Sequence, residues 1–407
     1  MVHKETVELR GHIIDSLILP KVLDNIVSHG GDYKIEEIRI GHKKEDASYA
    51  RITILSDSKK DFRWILKNAI ANGAAVLKEE DIVTEKAPRP GIFPGNFYST
   101  TNLPTFVRLN GKWVEVKNIE MDCGIKIRYA ESEAVCIPIN DVKKGDNIVI
   151  DASGIRVVPV ERARGNEVFS FMASAVSYEK PKLLIIRRIA DYIKDVKKSG
   201  KKVLFVAGPA VVHTGAGKYL YAIIKSGYVD VLFAGNALAV HDIESVLYGT
   251  SLGVSLEEGI PASRGHEHHM RAINTIRSAG GIRNAVKKDI LKDGIMYSCV
   301  RYGAEFVLAG SIRDDGPLPD VITDTMEAQG IMRKKVRGVG IAVMLASALH
   351  SIATGNLLPS SVKTVCVDID PSVVTKLADR GTFQALGLVT DLEPFLRELA
   401  GCLCHKS

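Results

Sequence analysis

The chain reads as an α/β protein: a doubly wound, mainly parallel sheet preceded by a ferredoxin-like α+β module and a small β-rich insert. Three observations predict this. From about residue 179 onward, "VLFVAG", "VDVLFAG", "AEFVLAGS", "VKTVCVDID" and "ALGLVTD" are apolar runs separated by helical segments. They lack polar alternation, as strands buried on both faces of a parallel sheet do. Residues 1–85 carry the order strand, helix, strand, strand, helix, which is the ferredoxin-like order. Residues 105–160 alternate in short β-like pieces divided by the turn signals "NGK" and "KKGD". Three domains are expected, at 1–85, 86–178 and 179–407.

In the first module "TVELRGHIID" predicts a strand, "SLILPKVLDNIVSHGG" a helix, and "YKIEEIRIGHKKEDASYARITILSDS" two strands joined by a polar turn. In "KKDFRWILKNAIANGA", Phe62, Ile65, Leu66, Ala69 and Ile70 fall at the spacing of an amphipathic helix. Such a module binds small molecules, or serves only packing and dimerisation. The stretch 85–105 holds Pro88, Pro90, Pro94 and Pro104 with Gly91 and Gly95, the signature of a linker or extended entry loop. The β-rich insert that follows carries no chemistry in its sequence.

Composition narrows the class. The 407 residues are 46% hydrophobic and 25% charged, the profile of a soluble globular protein of two or three domains. A net charge of +6 is small for this length, and the basic cluster Arg333 to Arg337 reads as a solvated helix face, so no nucleic-acid partner is expected. The N-terminus "MVHKETVELRGH" is charged from the start, unlike a signal peptide. The most apolar long segment, Val339 to Leu358, includes Gly340, His350, Gly355 and Asn356, which makes it a poor bilayer span. The six cysteines show no CxxC spacing. Cys402 and Cys404, beside His405, read as loose thiols, and a reducing cytoplasm is the expected location.

Open parallel sheets bind ligands outside the carboxyl ends of their strands, so the post-strand loops matter most. They are "AGPAVVHTGAG", "AGNALAVHD", "AGSIRDDGPLPD", "DIDPS" and "VTD". Small residues at three of these strand ends let a ligand approach the backbone. Asn236 opens a helix whose unpaired N–H groups favour anionic or carbonyl oxygens. Asp368 and Asp370 end a strand, where a carboxylate bridges ribose hydroxyls. "GAGKYL" at Gly215 lacks the third glycine of a dinucleotide fingerprint, and "GVGIAV" at Gly338 follows a basic helical stretch. Each alone reads as helix packing. "RGHEHHMRAIN" begins like a zinc helix, but the second ligand of HExxH would fall at Met270. A polar helix start is expected there, and no metal.

Two resemblances sharpen this picture. The runs "GKYLYAIIKSGYVDVLFAGNALAVHDIESVLYGTSLG", "RYGAEFVLAGSIRDDGPLPDVITDT" and "VDIDPSVV" resemble the Rossmann-like NAD-binding domain of deoxyhypusine synthase, over roughly residues 200–390. The whole chain, with its ferredoxin-like module, resembles the archaeal ornithine cyclodeaminase family, which is related to the C-terminal half of cyanobacterial arginine-to-proline enzymes and to lysine-oxoglutarate reductase/saccharopine dehydrogenase domains. The resemblance implies an NAD-dependent lyase. NAD takes the α-hydrogen of ornithine, the δ-amine closes a ring, ammonia leaves, and the hydride returns to give proline. Carried over residue by residue, it implies Asn236, Ala237, Asp315, Ala346, Ser347, Asp368, Asp370, Leu388 and Val389 as cofactor contacts. Asp314 would hold a substrate amine, in a loop stiffened by proline. His241 stands where deoxyhypusine synthase carries an acid, as a proton acceptor or as a helix-start histidine bonded to backbone. The lysine with which deoxyhypusine synthase forms its covalent imine has no counterpart. Small-molecule amino-acid binding and a homo-oligomer, dimer or tetramer, are implied as well. Two other activities stay open: a saccharopine-type NAD(P)-dependent dehydrogenase and a non-catalytic amino-acid sensor.

Overall fold

The computed structural model describes residues 2–14, 16–42, 46–77, 80–159, 182–252, 254–255, 265–314, 316–379 and 385–404. The chain divides into two compact units, one of residues 1–171 with 358–361 and the other of 172–357 with 362–407.

The first unit opens with β1 (His3–Gly11), α1 (Ile18–Ser28), β2 (Asp32–Arg39), β3 (Ser48–Ser56), α2 (Lys59–Ala71) and β4 (Ala75–Val76). The antiparallel sheet order is β2-β3-β1-β4, the ferredoxin-like arrangement read from the sequence. Burial alternates strictly along β3, so Ala50, Ile52 and Ile54 pack inward against Val22 and Ile26 of α1 and Ile65 and Ala69 of α2. Ser58 caps α2 by accepting the Asp61 N–H, satisfying a donor that the first turn leaves unpaired.

A second sheet contains β5 (Val83–Lys86), β6 (Thr105–Leu109), β7 (Lys112–Lys117), β8 (Gly124–Arg128), β9 (Glu133–Ile137), β10 (Asn147–Ile150) and β11 (Ile155–Val157). Its order is β11-β6-β7-β9-β8-β10-β5. Asn110 and Gly111, both at positive φ, make the two-residue turn of the β6–β7 hairpin, where a primed turn matches strand twist. The expected boundary at 85 falls inside β5, which pairs with β10. The two sheets also share a core. Ile70 of α2 is buried with the second sheet's residues, and Leu66 and Val76 pack against both clusters.

The second unit contains α3 (Lys182–Lys198), β12 (Lys202–Ala207), α4 (Ala210–His213), α5 (Gly217–Lys225), β13 (Val231–Gly235) and α6 (Asn236–Tyr248). A small hairpin, β14 (Thr250–Ser251) and β15 (Val254–Ser255), precedes α7 (Gly265–Ala279), α8 (Ile282–Lys287) and α9 (Gly294–Tyr302). Then follow β16 (Glu305–Ala309), β17 (Val321–Ile322), α10 (Thr325–Lys335), β18 (Val339–Leu345) and α11 (Ala348–Leu357). The chain ends with β19 (Lys363–Asp368), α12 (Pro371–Asp379), β20 (Ala385–Val389) and α13 (Leu392–Cys404). Seven parallel strands form one sheet, ordered β17-β16-β13-β12-β18-β19-β20.

One sequence expectation is corrected. "GVGIAV" does not belong to a packed helix: β18 is a central strand, buried along all seven residues and paired with both β12 and β19. No helix among the described residues is long and apolar enough to cross a membrane.

Candidate active site

The strand order positions the site. Sequence runs outward from β12 in both directions, through β13 and β16 on one side and β18, β19 and β20 on the other. This is the 3-2-1-4-5-6 order whose reversal, here between β12 and β18, opens a crevice at the carboxyl ends. The two strand tips nearly touch there. Gly208 donates its N–H to the Leu345 carbonyl at 2.9 Å, and a methyl group on Gly208 would stand 1.9 Å from the Ala346 carbonyl oxygen. Only glycine permits that approach. Ala346 itself sits at φ 42°, a left-handed conformation that costs energy for a residue with a Cβ and that clusters at ligand clamps.

Ser347 follows, with its hydroxyl 3.2 Å from Nδ1 of His350. The His350 ring reaches back over the tips of β13 and β16. A methyl on Gly235 would lie 2.9 Å from its Cε1, and the ring hydrogen-bonds the Ala309 carbonyl. Burial holds the His350 pKa below its ordinary value, against the opposing pull of that carbonyl and of Asp314. The imidazole is therefore neutral at neutral pH and able to accept a proton.

The expected residues divide into groups. Ala346 and Ser347 directly follow the tip of β18, where strand order reverses. Asn236 is buried at the start of α6, but its Oδ1 accepts the Leu318 N–H at 3.1 Å, tying the loop after β16 to the β13 tip. Ala237 follows it in the first turn of α6. Asp314 accepts the Ser311 N–H at 2.8 Å, which folds its loop beside His350. Asp315 lies outside the described residues. Asp368, buried at the end of β19, accepts the Asp370 N–H. Asp370 in turn accepts the Ser372 N–H at 2.8 Å, and its pKa is lowered by that backbone bond at the start of α12. Leu388 and Val389 end β20, two strands beyond β18, about 10 Å away at ordinary strand spacing.

His241 lies in the second turn of α6 among other imidazoles. Its ring centroid is 4.7 Å from that of His213 and 5.0 Å from that of His269. Glu244, fully buried one turn later, brings Oε2 to 3.5 Å from His241 Nδ1 and 3.7 Å from His269 Nδ1. Thr250 donates to Glu244 Oε1 at 2.8 Å. A hydroxyl has one proton to give, so His268 Nδ1, 2.9 Å from Thr250 Oγ1, is the donor in that pair. Sequence reasoning missed His350, Glu244 and His213. The i, i+3 pair in "HDIE" was the available signal for Glu244.

Three family profiles cover the chain. "Arginine dihydrolase ArgZ-like, C-terminal, Rossmann fold" matches residues 187–399, the "LOR/SDH bifunctional enzyme conserved region" matches 4–103, and the ArgZ-like C-terminal first region matches 104–186. An ornithine cyclodeaminase of Methanopyrus kandleri is 54% identical over 397 residues, spanning 97% of this chain and 96% of that one. The ornithine cyclodeaminase of Methanocaldococcus jannaschii is 53% identical, over 96% and 94%. This chain belongs to the archaeal ornithine cyclodeaminase family. Among solved structures, cyanobacterial apo ArgZ, an arginine dihydrolase, superposes with a TM-score of 0.87 at 36% identity, over 99% of this chain and 58% of that one. The ternary complex of AgrE with ornithine and NAD+ is 40% identical, with a TM-score of 0.54, over 99% and 57%. This chain thus spans little more than half the length of those two relatives.

Proposed function

We propose that this ornithine cyclodeaminase family member converts L-ornithine to L-proline and ammonia, with NAD bound at the crevice between the β12 and β18 tips. The observation that carries the reading is the glycine-permitted contact of Gly208 with Ala346 at the point where strand order reverses. The residues present fit a dinucleotide. Gly208 lets the β12 and β18 tips close on each other and Gly235 makes room for the His350 ring, and α11 begins directly after Ser347, offering unpaired N–H groups to a pyrophosphate. Asp368 offers a buried carboxylate for a ribose, and Ala237 flanks the β13 side. In this reading Asp370 supports Asp368 through α12 instead of touching the cofactor, and Leu388 and Val389 back the β19 tip. Bound NAD supplies a hydride acceptor that returns what it takes, so no net oxidation occurs.

The protein's own groups do the rest. One nitrogen of the neutral His350 ring carries its proton toward the Ala309 carbonyl, so the proton that the substrate amine must lose before a lone pair is available passes to the other, beside the Ser347 hydroxyl. Asp314 draws the cationic amino acid toward that ring, and Asn236 holds the loop after β16 through Leu318; Asp315 is assigned to the cofactor. Ring closure needs the δ-amine within near-attack distance of the α-carbon, which a rigid loop favours. All six cysteines are unpaired thiols, which suits the cytoplasmic location that we assign; the role that we assign is in proline formation. We further expect a homo-oligomer, to be read by light scattering.

The test is an assay with ornithine and a trace of NAD, following ammonia, proline and reduced cofactor together. Ammonia and proline in equal amounts without reduced cofactor are expected. Stoichiometric NADH would instead mark a dehydrogenase, and NAD retention without turnover would mark a sensor. Either outcome overturns the proposal.

A further inference from the structure

We infer that His241, Glu244 and His269 form a binding site for a divalent transition-metal ion of the zinc class, with one coordination position left open. Three side chains from two helices converge: one donor atom from each lies within 4.8 Å of the other two. Two facts point to a ligand instead of a closed hydrogen-bond network. Nδ1 of His241 and Nδ1 of His269 are both buried and make no hydrogen bond, and His241 is only 5% exposed. Buried polar atoms are normally paired, so two orphans aimed at one carboxylate oxygen require an explanation.

The spacing supplies it. Donor atoms around a tetrahedral zinc, bonded at about 2.0–2.1 Å, stand about 3.3–3.4 Å apart. Glu244 Oε2 stands 3.5 Å from one imidazole nitrogen and 3.7 Å from the other, too far for good hydrogen bonds and near the separation across a shared ion. His269 is 20% exposed, so it has room to complete the approach. His241 and Glu244 sit at i and i+3 on α6, which places both on one face.

The surroundings resemble a ligand-orienting shell. The Thr250 hydroxyl fixes Oε1 of Glu244, and the Leu252 N–H donates to Oε2 at 3.2 Å; such contacts set the direction of a ligating carboxylate. Two nitrogens and one oxygen favour zinc, cobalt or nickel over magnesium or calcium, which take oxygen. With three protein ligands, the fourth position would hold water or a small-molecule donor. The His213 ring packs beside His241, its centroid 4.7 Å away. Neither NAD nor ornithine enters this inference.

The experiment uses tag-free full-length protein, stripped by a chelator and then titrated with Zn2+ by calorimetry, and separately with Co2+ while its visible absorption is recorded. No NAD or ornithine is present, so the outcome is independent of the cyclodeaminase assay. One equivalent of Zn2+ is expected to bind, and Co2+ should give the intense bands of a four-coordinate site. His269→Gln, at a part-exposed position that leaves the fold intact, should weaken binding at least about 100-fold. Glu244→Gln should do the same, and Cys402→Ser with Cys404→Ser should change nothing. No saturable binding by the stripped wild-type protein overturns the inference. So does binding that survives His269→Gln, or that is lost with the two cysteines.

Discussion

His350 illustrates how much one side chain depends on its neighbours' lack of one. Its ring reaches the β13 tip only because position 235 is glycine, with a would-be methyl at 2.9 Å. His350→Gln is expected to lower kcat by about 10^2–10^4-fold, the range for a lost general base, while the NAD dissociation constant measured by fluorescence stays within about twofold. Gly208→Ala acts differently. Its methyl group would collide with backbone at Ala346, and the strand tips must separate. A stability loss of about 1–3 kcal/mol, typical of overpacking, is expected by urea unfolding, together with NAD binding at least about 10-fold weaker. At this scale the sequence was partly legible. The post-strand loops were identifiable because a parallel sheet makes them the binding edge, and Ala346 and Ser347 directly follow the β18 tip. His350 escaped notice because it lies in a long apolar run where a lone histidine carries no pattern. Asn236 could be placed at the helix start, but its bond to Leu318, 82 residues away, could not be read.

Helices and strands here are fixed by carboxylates that the active site does not use. Asp242, fully buried on α6, accepts the N–H groups of Ile295 and Met296 at 2.8 Å each and so caps α9 from a different element. Asp242→Ala leaves both donors unsatisfied in the interior. A cost of at least about 2 kcal/mol is expected, read as a lower urea midpoint with unchanged slope. In the ferredoxin-like sheet, Glu8 on β1 accepts from Tyr49, Arg51 and Arg10 at 2.5–3.0 Å. The Tyr49 hydrogen bond, followed by those arginines, lowers its pKa from the usual 4.5 to about 2. Because the folded value is the depressed one, Glu8 contributes its stabilisation fully above pH 4.5 and loses it as pH falls toward 2. Glu8→Gln should flatten the pH dependence of unfolding across that window. Neither carboxylate was recognisable from sequence, since Asp242 follows a histidine of interest and Glu8 reads as an ordinary exposed strand residue.

Over the whole molecule, two sheets that look like separate modules in sequence behave as one body in the first unit. Ile70 belongs to α2 yet is buried with the β-rich sheet, and Leu66 and Val76 touch both cores. The two tryptophans report on the two parts, Trp64 from α2 and Trp113 from β7. Variants keeping only one of them should show unfolding transitions of that unit at the same denaturant concentration. Ile70→Ala should lower both together by about 2–5 kcal/mol. Two midpoints would mean independent modules. The architecture was legible because apolar runs and helical spacing survive in a single sequence. Strand order was not, because nothing local tells β12 that β18, more than 130 residues later, will lie against it. The β18 run also passes into α11 without a glycine or proline, so its end could not be read.

That junction has a consequence for the tolerance of the chain to change. The turn from β18 into α11 is made by Ala346 in left-handed geometry, a backbone state that glycine and asparagine enter readily and that branched side chains resist. A saturation library at this codon, selected for growth that depends on the enzyme, should therefore keep Ala, Gly and Asn and discard Val, Ile and Thr, a filter set by one torsion angle and not by polarity.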